Sequence, residues 1–297
     1  MSMVSHAAAQ RPPWNLSLRW DVVGFMVLIH SLAALALLPR FWSLPAVLTL
    51  LVLYWVTGCL GVTMGYHRLL AHRSFRVPRW LRNLLALCGA LSCQHGPIEW
   101  VGLHRHHHRF SDTHHDHHNS RCGFWWSHMG WMLFTTPAMA MVPQFTRDLQ
   151  DDPWLQFLSR WFLALQLPLA AVLYLLGERL GAGGWSLVLW GIPLRLVAVY
   201  HVTWLVNSAT HAWGYRSFAT DDESRNCWWV ALLSFGEGWH NNHHAVPASA
   251  RQGLRWFEPD LTWQHIRLLQ ILGLARGVKV ALCKQGSSHG QAVSGGA

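Results

Sequence analysis

The chain has 297 residues, 52% of them hydrophobic and 12% charged, with 20 Trp against 14 acidic side chains and a formal net charge of +9. Its long uncharged apolar runs exceed what a water-soluble core needs, which excludes an ordinary soluble protein and points to an all-α integral membrane protein. Six cysteines without a CxxC pair exclude a disulfide framework and a thiolate metal site, and basic residues beside apolar spans explain the charge through anionic headgroups, with no nucleic-acid module in view.

Residues 1–20 carry Arg11, Pro12, Pro13 and Arg19 and no apolar run, so no cleavable signal peptide is expected and the N-terminus is read as cytosolic. Four segments are candidates to cross a bilayer, which takes about 20 apolar residues: Val22 to Pro39, Leu44 to Tyr66, Trp161 to Leu176 and Trp185 to Val206. Short links at 40–43 and 177–184 make two hairpins, leaving both termini and the long middle segment on one side. All but Arg40, Arg179 and Arg195 of the 23 Lys and Arg lie on that side, which the positive-inside rule makes cytoplasmic. Leu81 to Cys93 and Leu261 to Leu274 are read as helices lying at the interface, and residues 284–297 as a disordered tail. One domain is expected over 1–297, its core at about 20–283: four transmembrane helices with a helical cytosolic cap.

Histidines gather where the spans reach the cytoplasm. The second span runs into GYHRLLAHRSF, with His67 and His72; WVGLHRHHHRFSD supplies His104, His107 and His108; GEGWHNNHHAVP supplies His240, His243 and His244. In the last two, the i, i+3, i+4 spacing puts the imidazoles on one helical face, where they can converge on metal. His67 and His72 are five apart, about 140° around an α-helix, so they are expected to reach different ions or to be separated by the helix end. The fourth span closes with WLVNSATH, where Asn207 and His211 are one turn apart. Nine imidazoles are too many for one structural zinc and suit two ions with four or five each. The absence of carboxylate and thiolate from this set argues against Mg²⁺, Ca²⁺ and thiolate zinc, whereas nitrogen ligation suits iron, zinc, copper or nickel.

Metal-bound imidazoles usually give their second N–H to an acceptor, and Asp112, Asp116, Asp222 and Glu237 are the nearest carboxylates; Glu237 and Asp222 are the residues chosen for that role. His106 points away from its neighbours and is read as a solvent or headgroup contact. The tract His114, His115, His117 and His118 is read as a polar loop, and His30 and His201, inside spans, as paired within the bundle.

The boxes HRLLAH, HRHHH and HNNHH, with the neighbouring text GPIEWVGLHRHHHRFSD, GFWWSHMGW, SRN and FGEGWHNNHH, resemble the HxxxxH, HxxHH, HxxHH boxes of membrane fatty-acyl desaturases over about residues 20–283. The likeness is to the bacterial and cyanobacterial Δ9 type, related to the stearoyl-CoA desaturases. It implies a non-haem di-iron centre that uses O₂ to place a cis double bond in a saturated acyl chain. The family's metal positions fall on His67, His72, His104, His107, His108, His211, His240, His243 and His244, with Asn207 holding a water near one iron. The family positions that shape the bend of the acyl channel fall on Gln94, Trp100, Thr203 and Trp204. Zinc can fill such nitrogen sites but does not change oxidation state, so a zinc-loaded sample is expected to be inactive.

O₂ takes four electrons on becoming two waters and the acyl chain supplies two, so a donor must supply two more. Neither a haem domain nor an iron–sulfur cysteine pattern is visible, so a separate ferredoxin or small cytochrome is expected. The acyl carrier, whether CoA, acyl-carrier protein or a membrane lipid, is left open. Leu103 stands where CoA-using relatives often carry an acid, His115 and His117 extend the THHDHHN segment, and Cys122 replaces an Arg, which weakens a CoA headgroup site. Thr63, Cys59 and Trp55 lie at four-residue steps below His67, and Trp55 is the expected floor of the acyl channel. Membrane di-iron hydroxylases and carotenoid ketolases carry the same boxes and form one alternative. A membrane metal-binding or transport protein forms another, although transport would place these groups at mid-bilayer rather than at span ends.

Overall fold

A computed structural model describes residues 16–281, and the expected tail at 284–297 lies outside them. Among the described residues the chain is helical with no named strand. The first helix, α1 (Trp20–Ala36), is apolar but has only 17 residues, and Pro39 opens a separate short turn (Pro39–Phe41) rather than ending the span. Ser43 then caps α2 by accepting the Ala46 N–H at 3.2 Å, with Pro45 in the first turn. This helix runs without interruption over Leu44–Ala71, 28 residues that include an 18-residue stretch of mean hydropathy 2.0, past the expected end at Tyr66.

From Trp55 onward α2 is wound more widely, with i→i+5 hydrogen bonds; the last of these joins the His72 N–H to the His67 carbonyl at 3.0 Å. Such π-type turns are rare and cluster at functional sites. Here they bring residue i+5 back almost over residue i. Gly61 and Gly65 let α3 (Arg79–Ala90) lie against this segment: a methyl on Gly61 would stand 2.4 Å from the Cys88 carbonyl carbon. On α3, Leu81 and Leu85 are buried while Trp80 and Leu84 are exposed, the division expected of a helix at an interface.

Helix α4 (Pro97–Phe110) carries the second histidine box, and the short helices α5 (Phe124–His128) and α6 (Ala138–Phe145) follow. The third expected span, Trp161 to Leu176, starts at the last residue of α7 (Pro153–Trp161) and runs into α8 (Gln166–Arg179), and these two helices meet at 71°. Pro168 explains the break: without an N–H it fits the first turn of a helix and not the interior of one continuous span. The fourth span is the long helix α9, Gly184–Ala212, of 29 residues. Among the described residues two helices, α2 and α9, are thus long and apolar enough to cross a membrane, or three if the bent α7–α8 pair counts as one span.

Arg195 is fully buried in α9. Its guanidinium reaches the Leu91 carbonyl at 2.6 Å, Gln166 Oε1 at 3.1 Å and the Gly191 carbonyl at 3.0 Å. Leu91 is the C-cap of α3, so the charge faces the negative end of a helix rather than a carboxylate. Three further helices follow, α10 (Trp228–Leu233), α11 (His240–Ala245) and α12 (Leu261–Ile271). Helix α12 buries Ile266 and exposes Leu261, Leu268 and Ile271, as an interfacial helix should.

Candidate metal centre

The C-terminal ends of α2, α4 and α9 meet α11, and nine histidines converge there in two groups. His67, His72, His104, His108 and His243 form one pocket; His107, His211, His240 and His244 form the other. Neighbours in sequence are divided between them, His108 from His107 and His243 from His244. His67 and His72 face the same pocket, contrary to the expectation from α-helical geometry, because the five-residue turn replaces the 140° offset by a near return.

Several Nε2 atoms approach one another: His72 and His104 at 2.7 Å, His108 and His243 at 2.9 Å, His67 and His243 at 3.0 Å, and His107 and His244 at 3.4 Å. Two nitrogens each about 2.1 Å from a shared ion stand roughly 3 Å apart at right angles and about 3.4 Å apart in a tetrahedron. The opposite ring nitrogens show why these are not ordinary hydrogen bonds. His107 Nδ1 donates to Asp116 at 3.0 Å, His211 Nδ1 to Asp112 at 2.9 Å, and His244 Nδ1 to Asp222 at 2.7 Å, while His67 Nδ1 meets Glu237.

With the proton on Nδ1, each of these rings turns a bare Nε2 lone pair inward. The Nε2 atoms of His211 and His240 are buried without a partner. Inward-facing lone pairs repel unless a cation lies between them, so this donor set fits metal ions.

Burial pushes His107 down to about 4. It also holds His104, His108, His240 and His243 well below the ordinary imidazole value, and neighbouring imidazoles add to the effect. These rings are therefore neutral, as ligation requires. Burial alone would raise the carboxyls of Asp112, Asp116 and Asp222. The facing His211, His107 and His244 outweigh it and keep all three below the usual carboxylate range.

A cavity opens beside both pockets. Its walls include Thr63, Trp100, Thr203 and Asn207 among the residues chosen from the sequence, and Tyr54, Gly58, Val62, Val199, Val202, Val206 and Phe235 besides. Trp100 stacks on His104 at 5.0 Å, and Gln94 Nε2 donates to Thr203 Oγ1 at 2.9 Å. Trp204 is turned away, against Tyr200 and His201.

Trp55 and Cys59 do not line the cavity. Trp55 is 36% exposed with its indole N–H on His265, and Cys59 is buried against Thr262. The expected floor residue thus lies on the outer side of α2. Four-residue steps from His67 lose register in the wide turns, where the wall follows His67, Thr63, Gly58 and Tyr54.

Other placements also differ from expectation. His106 is 3% exposed, packed against Phe110, Phe145 and His117 rather than facing solvent. His117 and His118 are buried around Asp116, while His114 and His115 are exposed. His30 and His201 do pair, Nε2 to Nε2 at 3.2 Å, and His201 continues through His128 to Ser208 at 3.1 and 2.9 Å. The sequence carried no sign of His128 in that chain. Nor did it reveal Arg68, fully buried between Glu237 and Asp260, both at 2.9 Å.

The profile of a family described as fatty acid desaturase matches residues 41–270. The chain belongs to the fatty acid desaturase family. It is 54% identical over 279 residues to an sn-1 stearoyl-lipid 9-desaturase of Anabaena variabilis, covering 94% of this chain and 99% of that one. It is also 54% identical over 266 residues to an sn-1 stearoyl-lipid 9-desaturase of Synechocystis sp., covering 90% and 82%. An sn-2 palmitoyl-lipid 9-desaturase of Nostoc sp. is 47% identical over 277 residues, covering 92% and 94%. The protein is therefore an oxidoreductase that desaturates fatty-acyl chains, and the two histidine pockets are its candidate metal centre.

Proposed function

We propose that this desaturase introduces a cis Δ9 double bond into a saturated acyl chain esterified in a membrane lipid, using O₂ and two irons held by the nine histidines. The observation that carries the reading is the pair of adjoining pockets in which Nδ1 protons are held by carboxylates and Nε2 lone pairs face inward. Two irons bound there would activate O₂, which takes two hydrogens from the acyl chain and two electrons with two protons from a donor and leaves as two waters.

The chain's own residues bind, orient and dry the substrate. Val199, Val202 and Val206 give the cavity an apolar wall. Trp100, locked on His104, and Thr203, held by Gln94, set where the acyl chain bends. Asn207, in the same wall as His107 and His240, orients a solvent molecule. Asp112, Asp116, Asp222 and Glu237 keep the histidine protons on Nδ1. A lipid carrier is favoured by Leu103, which is 5% exposed and packed under Ala138 and Val142, so an apolar contact occupies the place where CoA-using relatives often present an acid. The relatives named above are acyl-lipid desaturases.

In this reading α1, α2, the bent α7–α8 pair and α9 cross the bilayer, the remaining helices form a cytoplasmic cap, and the donor is a separate acidic ferredoxin or small cytochrome steered by the chain's net positive charge. Expression in a host lacking its own desaturase, with fatty acids analysed by headgroup class, tests it. Acyl chains two mass units lighter, appearing within intact lipids, are expected. Chains sixteen units heavier would signal oxygen insertion and overturn the reading.

A further inference from the structure

The two pockets differ in what stands behind their histidines. In the four-histidine pocket, three of the four rings give Nδ1–H to an aspartate: His244 to Asp222 at 2.7 Å, His211 to Asp112 at 2.9 Å and His107 to Asp116 at 3.0 Å. Among the described residues, none of these aspartates forms an ion pair with Lys or Arg. Neutral donors tether them instead: Ser120 and the Glu223 N–H on Asp112, the Asp112 N–H on Asp116, Thr220 and Ser224 on Asp222. Their negative charge is left to act on the pocket.

The five-histidine pocket has one such carboxylate, Glu237 behind His67, and it is paired at 2.9 Å with the guanidinium of Arg68, which Asp260 shares at the same distance. His243 Nδ1 meets only the neutral amide of Gln252, at 3.3 Å. Solvent access runs the same way. Three of the five rings, His72, His104 and His108, are partly exposed there with His67 and His243 buried, whereas in the four-histidine pocket His244 alone is partly exposed.

We propose that the four-histidine pocket is the tighter of the two, that Asp112, Asp116 and Asp222 make it so as positioning residues, and that the five-histidine pocket holds the exchangeable ion. The proposal rests on the two-ion reading above. A carboxylate behind a ligating imidazole fixes the ring and raises its basicity, and losing one typically costs about 10- to 100-fold in metal affinity. Three partners without a cation, against one that is paired with a guanidinium, outweigh the single additional imidazole of the other pocket. In the four-histidine pocket, Asn207 in the adjoining wall leaves that place to solvent.

The test uses the full chain in detergent, stripped of metal, loaded with Co²⁺ and dialysed against increasing chelator, with cobalt per chain and ligand-field absorption recorded. Cobalt is expected to leave in two steps of one ion each, separated by at least about 100-fold in chelator. Asp222→Asn and Asp116→Asn should each advance the second step by about 10- to 100-fold and leave the first unchanged, with Asp222→Glu restoring it. Glu237→Gln should move the first step alone. A single step in the unaltered chain, which needs no variant to fold, overturns the ranking, as does an Asp222→Asn effect on the first step only. Fewer than two Co²⁺ per chain overturns the two-ion reading beneath it, a result distinct from two ions of equal affinity.

Discussion

The rings of Tyr54 and Phe235, both in the wall of the cavity, lie 5.2 Å apart and are tilted by 48°. Phe235 has φ +59°, and its carbonyl accepts both the N–H and the hydroxyl of Thr262, which fix the ring in place. Gly58 lies against it so closely that a methyl there would stand 3.0 Å from the ring. With the cavity as the acyl channel, these three residues are expected to limit the length of chain it accepts. Gly58→Leu should shift products toward shorter chains and Tyr54→Ala toward longer ones. Trp55→Ala, with its indole turned outward onto His265, should leave the chain-length profile unchanged. Gas chromatography of acyl chains checks this; normal activity with an unaltered profile in the Gly58 and Tyr54 variants would place the end of the channel elsewhere.

Replacing one histidine from each pocket separates assembly of the site from assembly of the fold. His107→Ala opens the four-histidine pocket and His243→Ala the five-histidine pocket. Each should lose about one ion per chain and fall to background activity while remaining membrane-inserted, because α2 and α9 are apolar enough to insert without metal. Metal analysis with membrane fractionation reads both. A variant that keeps its full metal content and turnover would remove that histidine from the ligand set.

Stability of the metal-free chain should fall as pH drops from neutral. Burial holds His107, His95 and His128 at about 4 in the fold, against about 6.5 for an unfolded imidazole. Below about 6.5 the unfolded chain takes protons that the folded chain refuses, and the loss continues down to about 4. Asp112, Asp116 and Asp222, held low in the fold, contribute stability at neutral pH that is lost only below about 3.9. The thermal midpoint of the stripped protein should therefore be lower at about pH 5 than at about pH 7.5, where a flat or opposite trend would contradict the assignment.

Arg68 joins Glu237 to Asp260 and also reaches the Ala250 carbonyl at 2.7 Å, entirely out of solvent. Arg68→Met leaves two buried carboxylates without their cation, and breaking a buried pair in this way costs about 3–5 kcal/mol. Arg68→Lys should rescue only part of this, since one ammonium does not reproduce the guanidinium's fork. Thermal unfolding in detergent measures both, and an unchanged midpoint in the Met variant would show that water enters the site.

The i, i+3, i+4 spacing of the second and third boxes made their convergence legible, because it depends only on α-helical geometry that α4 and α11 keep. The relation of His67 to His72, and with it the face of α2 that lines the channel, was not legible. Both depend on the i→i+5 winding after Trp55, which leaves no mark in hydrophobic periodicity. The bend between α7 and α8 was not foreseen either, although Pro168 lies beside it, and the partners of His106, Arg68 and His128 come from distant segments that local patterning does not address.

His67 and His243, whose Nε2 atoms face each other at 3.0 Å, are 176 residues apart in the chain. Neither pocket can exist while the ribosome is still making the segment before His240, although α2 and α9 have by then been synthesised and can enter the bilayer. Membrane insertion therefore proceeds with the histidines of α2, α4 and α9 uncommitted, and metal capture follows translation. A cell short of metal would accumulate inserted but inert chains, so enzyme output would be set by metal delivery to finished protein and not by synthesis alone.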